Sequence, residues 1–280
     1  MVVAGLGVST PGWAQPASPT MEEILTELGS DPDLGAIPLP SPPPPPPAWR
    51  FFVDTQYLGI TNPRFENVRT ETDNLFLGTV GLSGQPQVSE DLRLLASLSG
   101  TLARFGRETQ SDFDRISGSL GLSWAFEPQS FLRLEVQGQH VNSVQLGRKF
   151  FSDVAVQLQI GHAQSLPDDV TFTYFYQLRT NFADPGELNR TGHSLNLALG
   201  IPLSDQVTTN LGYRFLISSY SNVIRTDLEH QLTAEIRYEV SPGWTVRGFT
   251  TYVNNHSTDS SFTFDSFAYG LGFNAAFPFN

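Results

Sequence analysis

The chain has no cysteine, a single lysine and few charged residues of any kind. Each scarcity excludes something. Without cysteine there is no disulfide framework and no thiolate metal site, so structural zinc is not expected. Charged residues are 16% of the 280, against roughly 25% in an ordinary soluble domain. Lys149 is the one lysine beside fifteen arginines, so the usual Lys–Glu coat of a soluble surface is missing. The net charge of −12 argues against nucleic acid, a partner that demands a basic footprint. Five of the acids (Glu22, Glu23, Glu27, Asp31 and Asp33) sit near the N-terminus, so the charge says little about the rest. Beyond the N-terminus no run of about eighteen apolar residues occurs, which excludes a membrane-spanning helix.

What the chain does have is alternation. In its last residues one face reads Phe267, Tyr269, Leu271, Phe273, Ala275, Phe277, Phe279 and the other Ser266, Ala268, Gly270, Gly272, Asn274, Ala276. Period two means a strand with one apolar face and one small or polar face. From Trp49 onward the pattern recurs, giving about twelve candidate strands: 49–60, 73–83, 92–105, 113–126, 131–142, 151–164, 170–182, 193–202, 207–219, 228–240, 244–254 and 266–279. Short connections, rich in Pro, Asp, Ser and Gly, are expected at 84–91, 127–130, 165–169, 203–206 and 241–243. Longer ones are expected at 61–72, 106–112, 143–150, 183–192, 220–227 and 255–265.

The first 48 residues read differently. Residues 1–14 form a short apolar run whose Gly12 and Ala14 suit signal-peptidase cleavage before Gln15, and with no basic opening they read as a signal-peptide remnant. Residues 15–48 read as a tail. Thr20-Met-Glu-Glu23 is a capping box opening a short helix, 21–28, closed by Gly29. A Pro-rich spacer at 38–47 follows, ending in Pro42 to Pro47. That run demands polyproline II at about 3.1 Å per residue, a stiff spacer of roughly 20 Å. The domain boundary falls at Ala48/Trp49.

Alternation alone does not separate a soluble sandwich from a membrane barrel. The polar face does. On strand 113–126 it carries Arg115, Ser117, Ser119, Gly121, Ser123 and Ala125, where a water-facing sheet would carry long charged chains. Small residues suit a crowded, curved lumen wall. Trp124, Phe126, Tyr238, Trp244, Phe277 and Phe279 gather toward the short connections, and Tyr252, Phe267 and Tyr269 toward the long ones. Two such girdles are expected where rings meet both headgroup regions. The expected fold is therefore all-β, a transmembrane antiparallel up-and-down β-barrel over 49–280, with both termini periplasmic.

On these features the chain resembles Gram-negative outer-membrane β-barrel proteins over Trp49 to Asn280, and its leader ending Gly12-Trp-Ala-Gln15 looks like a cyanobacterial one. The resemblance implies lipid as solvent and assembly by the barrel-assembly machinery, which reads an alternating last strand with a terminal aromatic. Here that aromatic is penultimate, Phe279 before Asn280.

The lumen face collects Arg93, Arg115, Arg133, Arg179, Arg214, Arg237 and Arg247 against Asp54, Glu135, Asp153, Glu229, Glu235 and Glu239. With signs nearly balanced, two readings stand: a constriction that orders permeating solutes, or interior ion pairing that holds the wall. His140-Val-Asn-Ser143 invites comparison with outer-membrane lipid hydrolases, which set His and Ser two apart on one face; here that place is Asn142. His162, His193, His230 and His256 show no metal-ligand spacing, and no phosphate loop or dinucleotide fingerprint occurs. No enzyme, metal or cofactor is expected. The leading expectation is a monomeric, modest passive pore for small polar solutes or ions. The alternative is a non-conducting structural or anchoring barrel whose tail binds a periplasmic partner, and a lipid hydrolase stands third.

Overall fold

The computed structural model describes residues 49–62, 72–127 and 129–279. The leader, helix 21–28 and the spacer lie outside the described residues. Twelve strands form a closed antiparallel barrel: β1 (Trp49–Thr61), β2 (Thr72–Gly84), β3 (Leu92–Phe105), β4 (Phe113–Glu127), β5 (Ser130–Ser143), β6 (Arg148–Ser165), β7 (Thr171–Asp184), β8 (Arg190–Pro202), β9 (Val207–Tyr220), β10 (Thr226–Ser241), β11 (Trp244–Ser257) and β12 (Phe264–Phe279). Each strand pairs with its sequence neighbour, and β1 closes on β12 from Trp49↔Phe279 to Ile60↔Ala268. Closure leaves no row of unpaired backbone groups, which is what lets a sheet stand in a solvent without hydrogen bonds.

One end carries connections 85–91, 128–129, 166–170, 203–206 and 242–243 together with β1's start and β12's end; we call it the turn end. Connections 62–71, 106–112, 144–147, 185–189, 221–225 and 258–263 make the loop end. The expected contrast in size between the two sets is weaker than the sequence suggested. Strands run further toward the loop end, β6 from Arg148, β8 from Arg190 and β12 from Phe264. Backbone groups that can still find a ladder partner take it, so 144–147 is a tight turn. At the turn end Gly243 takes φ 81°. A Cβ there would lie 2.5 Å from the Ala276 carbonyl oxygen, so the β10–β11 hairpin needs glycine.

The outer surface is apolar: Ile116, Leu120, Leu134, Val154, Leu232 and Leu271 are all exposed, Leu271 by 67%. A continuous apolar belt of this kind suits hydrocarbon rather than water. Trp124, Phe126, Tyr238, Trp244, Phe277 and Phe279 are exposed near the turn end, with Trp244 packed 5.5 Å from Phe273 and Trp124 5.7 Å from Phe126. Tyr252, Phe267 and Tyr269 are exposed on the loop-end halves of β11 and β12.

The inner face is not uniformly small or polar. At the loop end, inward-facing Leu58, Ile60, Leu75, Leu77, Phe105, Phe113, Val141, Phe151, Val253 and Phe264 pack into one cluster inside the barrel. Leu58 and Leu75 are fully buried, with none of their surface reached by solvent. Each such side chain contributes on the order of 1.5–3 kcal/mol by leaving water. The expectation of a small or polar inner wall holds on β4 beyond Phe113 and fails on the loop-end halves of β1 and β2.

Candidate functional site

The lumen is the site, and its residues are placed by strand parity. From β11, Arg247 reaches over β12 to both oxygens of Asp54 on β1, 3.0 Å each. Asp54 also accepts from the amides of Gln56 at 3.0 Å and Asn274 at 3.3 Å. The second Nη of Arg247 lies 3.8 Å from Glu235, which pairs with Arg237 at 2.9 Å and accepts from Asn210 at 3.2 Å. One network thus joins β9, β10, β11, β12 and β1. Its charges are hydrogen-bonded, as buried charges must be.

The other lumen charges are spread over β3 to β10. Arg214 donates to Glu229 at 2.7 Å. Arg179 donates to Gln137 at 2.8 Å and to Asn181 at 3.1 Å, and lies 3.9 Å from Asp153. Arg115 is buried and donates to Thr101 at 3.2 Å. Arg133 stacks over Phe131, 4.8 Å from the ring centroid, a cation–π contact. Glu135 accepts from Gln137 at 3.2 Å. Arg93 is half-buried opposite Ser123, and Glu239 is exposed at the turn end. The expected lumen charges therefore do not converge on one constriction; the structure spreads them over several groups, some ion-paired and some held by hydrogen bonds or a ring.

The mouth holds a group that sequence reasoning missed. Arg225, from the β9–β10 loop, forks onto Asp227, donates to the Tyr220 hydroxyl at 3.0 Å, and stacks on Phe262 at 3.6 Å. Arg190 donates to the same hydroxyl at 3.1 Å. All four polar members are buried. In sequence, Ser221 to Arg225 reads as an ordinary solvated loop, so nothing signals this arrangement.

The lumen has two unlike walls at the loop end. From β11 through β6 it is lined mainly by the apolar cluster; on β7–β10 it carries Asn181, Arg190, Ser194, Ser218, Glu229 and Gln231. The signal for the apolar wall was present where alternation breaks, at Tyr57-Leu-Gly-Ile60 and Leu75-Phe-Leu77. Both faces of those segments are apolar.

Histidines lie on the outer face. His140 is exposed, with Nε2 3.2 Å from Asn142 Oδ1, while Ser143 is buried and accepts from the Leu146 amide. Ser130 Oγ lies 2.9 Å from His162 Nδ1 and 3.2 Å from Glu127. There the acid touches the serine and not the imidazole, so the order that orients a catalytic histidine is absent from this trio. Among the described residues no three His, Cys, Asp or Glu side chains group to hold a metal ion.

Compared with solved structures, the chain is similar to an outer-membrane channel from Pseudomonas putida F1, with TM-score 0.62 and 9% identity, over 86% of this chain and 100% of that one. It is also similar to the translocator domain of the autotransporter NalP from Neisseria meningitidis, with TM-score 0.52 and 15% identity, over 95% and 100%. At these identities the likeness is one of fold: a bacterial outer-membrane type of β-barrel. No protein-family model and no curated protein matches the chain.

Proposed function

We propose that this chain is an outer-membrane barrel with both termini periplasmic, acting as a narrow passage for small polar solutes or ions along the β7–β10 wall. The carrying observation is the two-sided lumen: an apolar, densely packed half beside a half lined by Asn, Gln, Ser and Arg. Water and polar solutes follow hydrogen-bonding walls and avoid apolar constrictions. The route is narrow in this reading because the apolar cluster occupies the lumen opposite it at the loop end.

Lipid is the solvent of the outer belt, and the alternating strand Ser266 to Phe279 is what the barrel-assembly machinery would read. Single-channel recording of refolded protein in planar bilayers tests the reading. We expect small, discrete conductance steps, and none under any condition would refute it. The fully buried Leu58 and Leu75 favour a second reading, a non-conducting barrel that anchors the N-terminal tail to a periplasmic partner. Deleting residues 15–48 would abolish capture of that partner while leaving the barrel folded.

A further inference from the structure

The outer face of β3 to β7 carries a groove of about 530 Å³, within the roughly 300–1,000 Å³ of ligand pockets in general. Register shows how it is built. Leu98, Gly118, Gly138, Val154 and Phe182 stand opposite one another in a single row across the five strands. Leu98, Val154 and Phe182 are exposed and form the sides. The two glycines between them leave the floor at the level of the backbone. A Cβ on Gly138 would meet nothing nearer than the Asp153 carbonyl oxygen, at 3.9 Å.

Two residues nearer the loop end, about 7 Å along the strands, the next row reads Ile116, His140, Ser152 and Asp184. One step further it reads Asp114, Asn142 and Lys149. The groove thus passes from wholly apolar to polar in two steps, on a surface whose apolar part suits hydrocarbon. Lys149 pairs with Asp184, and Arg104 with Asp114 at 2.7 Å, so cations and carboxylates alternate along the loop-side rim from β3 to β7. All four side chains are well exposed. Exposed pairs of this kind hold little energy, so they open readily to an incoming headgroup. His140 and Ser152 place hydrogen-bonding groups between rim and floor, where the ester carbonyls of a lipid would lie. What fits is an amphiphile, with one chain on the glycine floor and a head carrying both signs of charge at the rim. A head with several phosphates would meet Asp114 and Asp184 as like charges.

We propose that this groove is a binding site for one zwitterionic glycerophospholipid, its acyl chain laid on Gly118 and Gly138 and its phosphate and ammonium groups on the Lys149–Asp184 and Arg104–Asp114 rim. The site rests on the outer belt lying in lipid, and not on conduction. The test is native mass spectrometry of the refolded full-length chain in detergent with added phosphatidylethanolamine, phosphatidylglycerol or lipid A. Folding is checked by heat-modifiable gel mobility. Wild type should retain one phosphatidylethanolamine when the detergent is stripped, and much less of the other two. Gly138→Leu, whose new side chain enters open space, should lose most of that adduct. If that variant does not fold, Phe182→Ala, which removes one side of the groove, should show the same loss. Lys149→Gln with Asp184→Asn should erase the preference among headgroups. An adduct undiminished in Gly138→Leu would overturn the site, and so would equal retention of all three lipids by wild type, which means unselective solvation. Preference for lipid A would overturn the zwitterionic assignment. A wild-type dimer that Gly138→Leu abolishes would make the groove a contact between copies instead. A wild-type chain that does not fold in lipid or detergent would overturn the membrane reading and the site with it; a folded barrel that retains no lipid overturns the site alone.

Discussion

Arg247 on β11 donates to both carboxylate oxygens of Asp54 on β1, 193 residues away in sequence, by lying across the inner face of β12. Gly272 on β12 makes the crossing possible, because a Cβ there would fall 2.6 Å from Arg247 Nε. The first strand is thereby tied to the last two at the seam where the barrel closes. A contact spanning the seam exists only in the closed form, so it favours closure over an open sheet.

Arg247→Ala should therefore cost about 3–5 kcal/mol, because Asp54 stays in the wall without its guanidinium. Pairing it with Asp54→Asn should restore part of that loss, since the stranded charge is removed. Urea unfolding midpoints of the two single variants and the double variant give the comparison. Strict additivity would mean that the pair contributes nothing to closure.

Leu120 points outward and Ser119, its neighbour, inward, where its hydroxyl lies 2.8 Å from that of Ser97. Leu120→Arg should cost about 2–4 kcal/mol in a lipid bilayer if it sits near the midplane. Ser119→Arg should be much milder, since the lumen there offers polar partners. Equal losses on refolding into vesicles would undo the assignment of faces.

Those faces were legible in the sequence because period two reports them strand by strand, as on β4 and β12. The twelve strands were legible for the same reason. Their loop-side ends were not, because ladder pairing at Arg148, Arg190 and Phe264 depends on the neighbouring strand and not on local pattern. The lumen charges could be assigned to a face, but their partners could not. Arg247 meets Asp54 only through the closing register, and Arg225 meets Tyr220 only because its loop folds into the mouth. The apolar cluster was half-visible, in segments such as Leu75-Phe76-Leu77 where both faces are apolar.

The orientation has its own test, made easy by the absence of native cysteine. With the loop end outside, a membrane-impermeant thiol reagent on whole cells should label cysteine placed at Gly186 or Ser260. It should not label one at Pro242. The reverse pattern would invert the barrel, and equal labelling at all three would mean that no membrane separates the two ends.

Arg225 offers a test of the mouth. Its removal strands Asp227, which is buried, and frees the Tyr220 hydroxyl from one of its two donors. Arg225→Ala should cost about 3–5 kcal/mol and open the 221–225 loop to protease added from the loop side. Arg225→Lys should rescue little, because a point ammonium does not reproduce the fork onto Asp227 or the stack on Phe262. Full rescue by lysine would reduce the contact to simple charge.

The apolar cluster inside the loop end decides how the lumen is used. Phe105 and Phe151 are buried members of it, on β3 and β6. Truncating each to alanine should cost about 3–5 kcal/mol, the transfer loss plus the cavity left behind. If the cluster is what narrows the passage, the Phe105→Ala, Phe151→Ala double variant should conduct more than wild type in planar bilayers. Lower stability with unchanged conductance would mean that solutes keep wholly to the β7–β10 side and that the cluster is a structural core. Silence in both proteins would leave the anchoring barrel as the account of this chain, its interior packed for stability rather than for passage.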